Sequence, residues 1–465
     1  MNVKMHFMRL FRNILVVVFI TTHLSCSSND GPVFKKRPEG DVVVTVDRII
    51  AEDVRTKVGI NVNAGIDNDL NRESGAIPLK EALNNMGAKR LRYPGGNKSN
   101  YYAWAEAPYT DASTNYWNGW VADAEVAVNT INFDEFMDIC AETGAQPHIN
   151  VAYNPDLGLD VELAAAWVKY ANVTKGYNVK YWEIGNELWK SELGFTTESL
   201  AETVKAYSAA MKAVDPTIKI AVSWRDIQGI INACGDALDY VTISDYTGNL
   251  FHTYESYASR ENVRMTNLHK STSKKIIVSE FGPILFDGQL GAVGNPNIDN
   301  ANNTGRGILT FDQIGQLISS INCEYACFWN TRWFDEGDLL FDALDDYNNT
   351  RPTSLALTIW GNHLLDHMVS TTSKIGSIVS YASINSSTGA LNVFLINKKE
   401  EAQVISLGIS ADKNYASSAE VWQYKGNDNT DKNATWGKMA STEVADNQIQ
   451  DLNLPSTSIT VISLR

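Results

Sequence analysis

Between residue 58 and about residue 367, eight short apolar runs recur with helical patterns set between them. The runs are Val58–Val62, Arg90–Tyr93, Pro147–Ala152, Lys180–Ile184, Lys219–Ser223, Tyr240–Ile243, Lys275–Ser279 and Glu324–Trp329. Each is short, rich in β-branched or aromatic residues, and bounded by turn residues, which are the marks of a strand. Helical candidates fall at Phe133–Thr143 with Asn132 as cap, at Val161–Lys175, at Thr197–Val214 closed by Asp215-Pro216, and at Thr353–His367 after Arg351-Pro352. A strand that follows a crossover helix runs parallel to its predecessor. Eight such units favour a closed (β/α)8 TIM barrel over a doubly wound sheet.

The texture changes near Asp366. Short alternating runs at Gly376–Ile384, Leu391–Ile396, Val404–Leu407, Ala419–Gln423 and Ser458–Leu464 are separated by Ser, Thr, Asn and Gly clusters. They predict a C-terminal antiparallel β-sandwich domain over residues 368–465. Residues 41–57 include a further strand-like run, Asp41–Val46, expected to join that β-domain, which makes the domain discontinuous around a barrel at 58–367.

Two of the strand runs lead into glutamates. Tyr181-Trp182-Glu183-Ile184-Gly185-Asn186-Glu187 carries one, and Lys275-Ile276-Ile277-Val278-Ser279-Glu280-Phe281-Gly282 the other. Glutamate is depleted in strands, so its recurrence at two strand ends asks for a reason. The C-terminal mouth of a parallel barrel is where its chemistry is done. Two carboxyl groups meeting there suit glycosidic bond cleavage, which needs one proton donor beside the leaving oxygen and one carboxylate at the anomeric carbon. The formal charge of −15 makes nucleic acid and anionic membrane surfaces poor partners. Cys140, Cys234, Cys323 and Cys327 lack metal-ligand spacing and read as small buried apolar residues. No nucleotide, phosphate or metal signature is present, and no cofactor is expected.

The strings also resemble known families. Glu183-Ile184-Gly185-Asn186-Glu187 is similar to the Asn-Glu acid/base segment of the clan A retaining glycoside hydrolases, and Ser279-Glu280-Phe281-Gly282 to their nucleophile segment. Leu91-Arg92-Tyr93-Pro94-Gly95-Gly96-Asn97, with Trp104 beyond, resembles the second-strand signature of family 51 α-L-arabinofuranosidases and of relatives in families 39 and 79. The resemblance covers roughly residues 45 to 465. It implies Glu187 as general acid/base, Glu280 as nucleophile, and Asn186 as the holder of a sugar 2-hydroxyl. Arg92 would steady Glu280 and keep its pKa low, or else form a structural ion pair. Asn97 would contact substrate or shape the glycine turn. Trp329 would be an aromatic wall or a core residue, and His148 a satisfied core histidine.

One departure bears on the sugar. Where family 51 commonly has His-Tyr at the end of the sixth strand, this chain has Asp245-Tyr246. Tyr246 remains a candidate partner of the nucleophile, and Asp245 is an added acid expected to contact substrate or a cation at the mouth. The implied activity is retaining hydrolysis of plant or algal carbohydrate, first as an α-L-arabinofuranosidase. The alternatives are an agarase-, porphyranase- or uronidase-like enzyme of the same clan and a non-catalytic glycan-binding lipoprotein.

Residues 1–25 read as a leader, with Lys4, Arg9 and Arg12 before the short apolar run Ile14–Ile20. Leu24-Ser25-Cys26 resembles a bacterial lipobox, which implies acylation of Cys26. Residues 26–40 then form a polar tether, and the location is that of an outer-membrane lipoprotein whose only membrane contact is its lipid. Nothing in the sequence fixes an oligomeric state.

Overall fold

The structure is a computed structural model, and it describes residues 39–124, 126–247, 250–266, 268, 272–283, 301–333 and 342–465. The leader, Cys26 and all but the end of the tether lie outside the described residues.

The described chain opens with strand β1 (Val42–Ala51), followed by β2 (Val58–Asn61), helix α1 (Leu79–Met86) and β3 (Arg90–Tyr93). A long excursion holds the short strands β4 (Tyr102–Ala103) and β5 (Tyr116–Trp117) and helix α2 (Gly119–Ala124). Then come α3 (Phe133–Thr143), β6 (Gln146–Val151), α4 (Val161–Val168), β7 (Tyr181–Ile184), α5 (Thr197–Val214), β8 (Lys219–Ser223), α6 (Ile227–Cys234) and β9 (Tyr240–Tyr246). The next elements are α7 (Tyr254–Ala258), β10 (Ile276–Gly282), α8 (Thr304–Ile318), β11 (Cys323–Phe328) and α9 (Pro352–His363). Strands β2, β3, β6, β7, β8, β9, β10 and β11 close into a parallel barrel, β11 pairing back onto β2.

Local chemistry sets the helix ends. Asn132 Oδ1 accepts from Glu135 N at 3.0 Å and Glu135 Oε2 from Asn132 N at 2.8 Å, a reciprocal cap that starts α3 where the sequence predicts it. Thr196 caps α5 through Ser199 in the same way.

The barrel interior is not filled with Val, Ile and Leu, as the fold usually is. Near the bottom, the Arg90 guanidinium lies 4.5 Å from the Tyr181 ring centre and 4.3 Å from that of Tyr325. One residue pair higher, alternation turns Arg92, Glu183 and Thr242 inward, forming a charged layer directly under the mouth.

The β-domain continues through β12 (His367–Ser373), β13 (Ile378–Ile384), β14 (Leu391–Asn397), β15 (Gln403–Ser410), β16 (Ser418–Lys425), β17 (Thr435–Lys438), β18 (Thr442–Glu443), β19 (Gln448–Leu454) and β20 (Ser458–Leu464). These strands and β1 make one curled ten-stranded sheet in the order β17-β16-β20-β14-β13-β12-β1-β15-β19, with β18 on β16. It is antiparallel except where β1 runs parallel to β15. Strands β14 and β20 are buried along their whole length, and their residues divide between two cores. Val393, Leu395, Ile462 and Leu464 fill the curl of the sheet, while Phe394, Ile396, Ile459 and Val461 join the barrel's own core. The Trp360 ring of α9 lies in that barrel core between α8 and the sheet, 4.6 Å from Phe311 and 4.3 Å from Phe394. Every residue of α8 except Gln316 is buried as a result. Cys140, Cys234, Cys323 and Cys327 are buried free thiols.

Candidate active site

Glu280 faces into the barrel because β10 contains one extra residue. The register moves from Val278 opposite Ile243 to Glu280 opposite Ser244. Ile277 packs in the interior cluster with Tyr325 and Cys327. Strict alternation from Ile277 would turn Ser279 inward; the bulge exchanges it for Glu280. Bulges beside functional sites re-aim side chains in this way.

Glu187 reaches the same mouth by a turn. Strand β7 stops at Ile184, three residues earlier than the glutamate. Gly185 has φ +59° and Glu187 itself has φ +48°. That left-handed conformation costs a non-glycine residue about 1–3 kcal/mol, an expense typically met where function requires it.

Arg92 is the hub between them. Its Nε donates to Glu183 Oε2 at 2.7 Å and its Nη2 to Asn186 Oδ1 at 2.8 Å. Its Nη1 donates to Asn61 Oδ1 at 2.9 Å and to Glu280 Oε1 at 3.2 Å. The other Glu280 oxygen accepts from the Tyr246 hydroxyl at 2.6 Å. Glu187 Oε1 accepts from Ser244 Oγ at 2.8 Å, and Glu187 Oε2 lies 2.8 Å from Lys190 Nζ. The Glu280 side chain is 6% exposed and that of Glu187 15%, so the pair runs from the floor of the mouth outward.

The electrostatics overturn one expectation. Arg92 was to hold Glu280 low, yet Glu280 is pushed up to about 7, by its burial first and the nearby Glu187 second, against Arg92 and the Tyr246 hydrogen bond. Arg92 spends its closest contact on Glu183. Burial alone would raise Glu183, but Arg92, His148 and Thr242 outweigh it and hold that carboxyl down to about 2. Burial, with Glu280 next, pushes the Tyr246 phenol well up, so it remains a donor. Burial also lowers His148, which sits neutral beside Glu183 at 3.3 Å.

Asn97 Oδ1 accepts from Asn186 Nδ2 at 3.1 Å and from Lys190 Nζ at 2.8 Å, joining the second-strand turn to the fourth. Trp329 is buried outside the main core, clustered with Tyr246 and Trp333. Its ring lies so close over Gly96, at φ +45°, that a Cβ there would collide with it. Glycine is required at that position by both contact and conformation.

Asp245 does not join this group. Thr242, Ser244 and Tyr246 send their side chains to Glu183, Glu187 and Glu280, so the intervening Asp245 belongs to the opposite face of β9. Its backbone carbonyl accepts from Gln313 of α8 at 2.7 Å, and the residue is buried. By strand parity its side chain leaves the face that carries Thr242, Ser244 and Tyr246.

Four residues that sequence reading did not assign to the site take part in it. Glu183 was visible inside its own motif, two residues after inward-facing Tyr181. Ser244 stands two residues before Tyr246, on the same face. Asn61 and Lys190 gave no signal of their own.

No model of a protein family matches the chain. A probable α-L-arabinofuranosidase C of Aspergillus fumigatus is 28% identical over 179 residues, 34% of each chain. An intracellular exo-α-L-arabinofuranosidase of Bacteroides ovatus is 27% identical over 195 residues, 36% of each. The chain thus spans about a third of the length of the curated relatives it matches. Among solved structures, an α-L-arabinofuranosidase of Thermotoga maritima in complex with arabinose superposes with a TM-score of 0.72 at 20% identity, covering 91% of this chain and 99% of that one. The chain has the fold of the family 51 α-L-arabinofuranosidases. The family 51 arabinofuranosidase of Xanthomonas axonopodis pv. citri superposes with a TM-score of 0.68 at 17% identity over 92% of this chain and 100% of that one. A family 44 xyloglucanase of Paenibacillus polymyxa does so with a TM-score of 0.61 at 14% identity, covering 91% and 98%. This fold therefore serves more than one carbohydrate, and the substrate has to be argued from the site.

Proposed function

We propose that the chain is a retaining glycoside hydrolase that releases α-L-arabinofuranosyl groups from plant carbohydrate, with Glu280 as nucleophile and Glu187 as general acid/base. The observation that carries this reading is the unequal setting of the two carboxyls. Glu280 is buried, with Arg92 on one oxygen and Tyr246 on the other, while Glu187 lies nearer solvent on the strained turn after β7. Glu280 attacks the anomeric carbon as Glu187 passes a proton to the leaving oxygen. The ester that forms neutralises Glu280, and Glu187 then takes a proton from the water that releases the sugar. Asn186, fixed by Arg92 and by Asn100 Oδ1 on its backbone N at 2.9 Å, offers its amide to the 2-hydroxyl. The arabinofuranosyl preference rests on the sequence relatives and on the second-strand turn. Hydrolysis of a panel of aryl glycosides, with proton NMR of the first-formed anomer, tests the reading. Arabinofuranoside turnover with retention supports it; no turnover of any glycoside, or inversion, rejects it.

The same proposal places the enzyme outside the cytoplasm, anchored by an acylated Cys26. Its support is the Leu24-Ser25-Cys26 string with a polar stretch behind it. A single acyl chain binds membranes weakly and several bind firmly. Cys26→Ser should move the protein from the membrane to the soluble fraction or leave it unprocessed; recovery of the wild type without lipid at Cys26 rejects the anchor.

A further inference from the structure

Lys190 stands where no function above needs a cation. Its Nζ lies 2.8 Å from Glu187 Oε2 and 2.8 Å from Asn97 Oδ1, and its side chain is 25% exposed on the solvent side of the carboxyl pair. The two Glu187 oxygens are therefore held by partners of different kinds. Ser244 offers a hydroxyl, which can rotate to accept a proton as readily as it donates one; an ammonium can only donate. A proton on Oε2 and the Lys190 ammonium compete for the same oxygen. We infer that Lys190 is a positioning residue that holds Glu187 through Oε2, opposes a proton there, and thereby sets the upper pH limit of cleavage.

The inference rests on the acid/base reading of Glu187 and deepens it. Among the described residues, the groups facing Glu187 are Lys190 in its own loop, Ser244 and Tyr246 of β9, Glu280 of β10, and Arg92 of β3 acting through Asn186. Arg225 is stacked on Trp189, one residue before Lys190, at 4.1 Å. Burial and the nearby Glu187 raise Glu280, which favours a proton on the nucleophile. Cleavage needs the opposite arrangement. A substrate whose leaving sugar offers oxygen acceptors to the ammonium would draw Lys190 off and let the proton cross to Glu187.

The test is the pH dependence of kcat/KM for the wild type, Lys190→Met, Lys190→Gln and Lys190→Arg. Each is run on an arabino-oligosaccharide, whose leaving group needs protonation, and on a dinitrophenyl arabinofuranoside, whose leaving group does not. The basic limb of such a profile reports the acid in the free enzyme. On the oligosaccharide, both neutral variants should move that limb up by about one pH unit or more, the usual effect of removing an adjacent opposite charge, while Lys190→Arg keeps it in place. The dinitrophenyl profile should move far less. A limb that stays put in both neutral variants, or an equal loss on both substrates at every pH, overturns the inference and leaves Lys190 a structural tie to Asn97. If the wild type shows the same basic limb on both substrates, the acid/base reading of Glu187 itself fails.

Discussion

Arg92 Nε lies 2.7 Å from Glu183 Oε2, half an ångström nearer than its Nη1 comes to Glu280 Oε1 at 3.2 Å, and both members of the Arg92–Glu183 pair are shut off from solvent. The arginine that contacts Glu280 is thus bound more closely to a carboxylate beneath it. Breaking a buried pair leaves an uncompensated charge, so Glu183→Ala should lower stability by about 3–5 kcal/mol in urea unfolding. Glu183→Gln keeps the shape and removes the charge. Arg92 is then free to serve Glu280, and a like charge is gone, so Glu280 should fall and the acidic limb of kcat/KM should move to lower pH. An unmoved limb would show that Glu183 acts on folding alone.

Removing the acid should separate substrates by leaving group. Glu187→Ala should reduce turnover of oligosaccharides by about 10²–10⁴-fold, the usual contribution of general acid catalysis, and spare dinitrophenyl glycosides in the first step. Added azide should restore release of the sugar as a glycosyl azide. Equal losses on both substrates without azide product would place the acid elsewhere.

Strand parity separates Asp245 from the chemistry. Asp245→Asn should change kcat/KM by less than about threefold, under about 0.7 kcal/mol of transition-state stabilisation. A drop above about tenfold would return Asp245 to the mouth, against the alternation of β9.

The raised Glu280 carries a stability signature. Its folded pKa of about 7 lies above the ordinary 4.5, so the folded state holds a proton that the unfolded state releases between those values. Stability from this group is present at pH 4.5 and below and is lost as the pH rises toward 7, by up to about 3 kcal/mol. Thermal unfolding of the wild type should weaken from pH 5 to pH 8 more than that of Glu280→Gln. Parallel pH slopes for the two proteins would show that burial and Glu187 do not raise Glu280.

The barrel could be read in the sequence because each of its strands is a compact apolar run with a turn signal behind it; all eight predicted runs overlap a barrel strand. Helix α8 could not, because it lies between barrel and sheet and has no solvent face to impose a period. Strands β12 and β19 escaped for the opposite reason: polar residues such as Ser370, Thr371, Gln450 and Asp451 interrupt them. At the site, Glu187 and Glu280 stood out as carboxylates after apolar strands. Asn61, Ser244 and Lys190 did not, since their place depends on how the barrel closes and how the turn after β7 folds back. Asp245, adjacent to Tyr246 in sequence, lies on the opposite face of the strand.

The central claim is that Glu280 forms a covalent bond to the sugar while Glu187 manages the proton. An arabinofuranosyl electrophile that traps the glycosyl-enzyme, followed by peptide mapping by mass spectrometry, tests it most directly. The account predicts a single adduct, on Glu280, formed in step with loss of activity and absent from Glu280→Gln. An adduct on Glu187, or inactivation with neither glutamate modified, would contradict it.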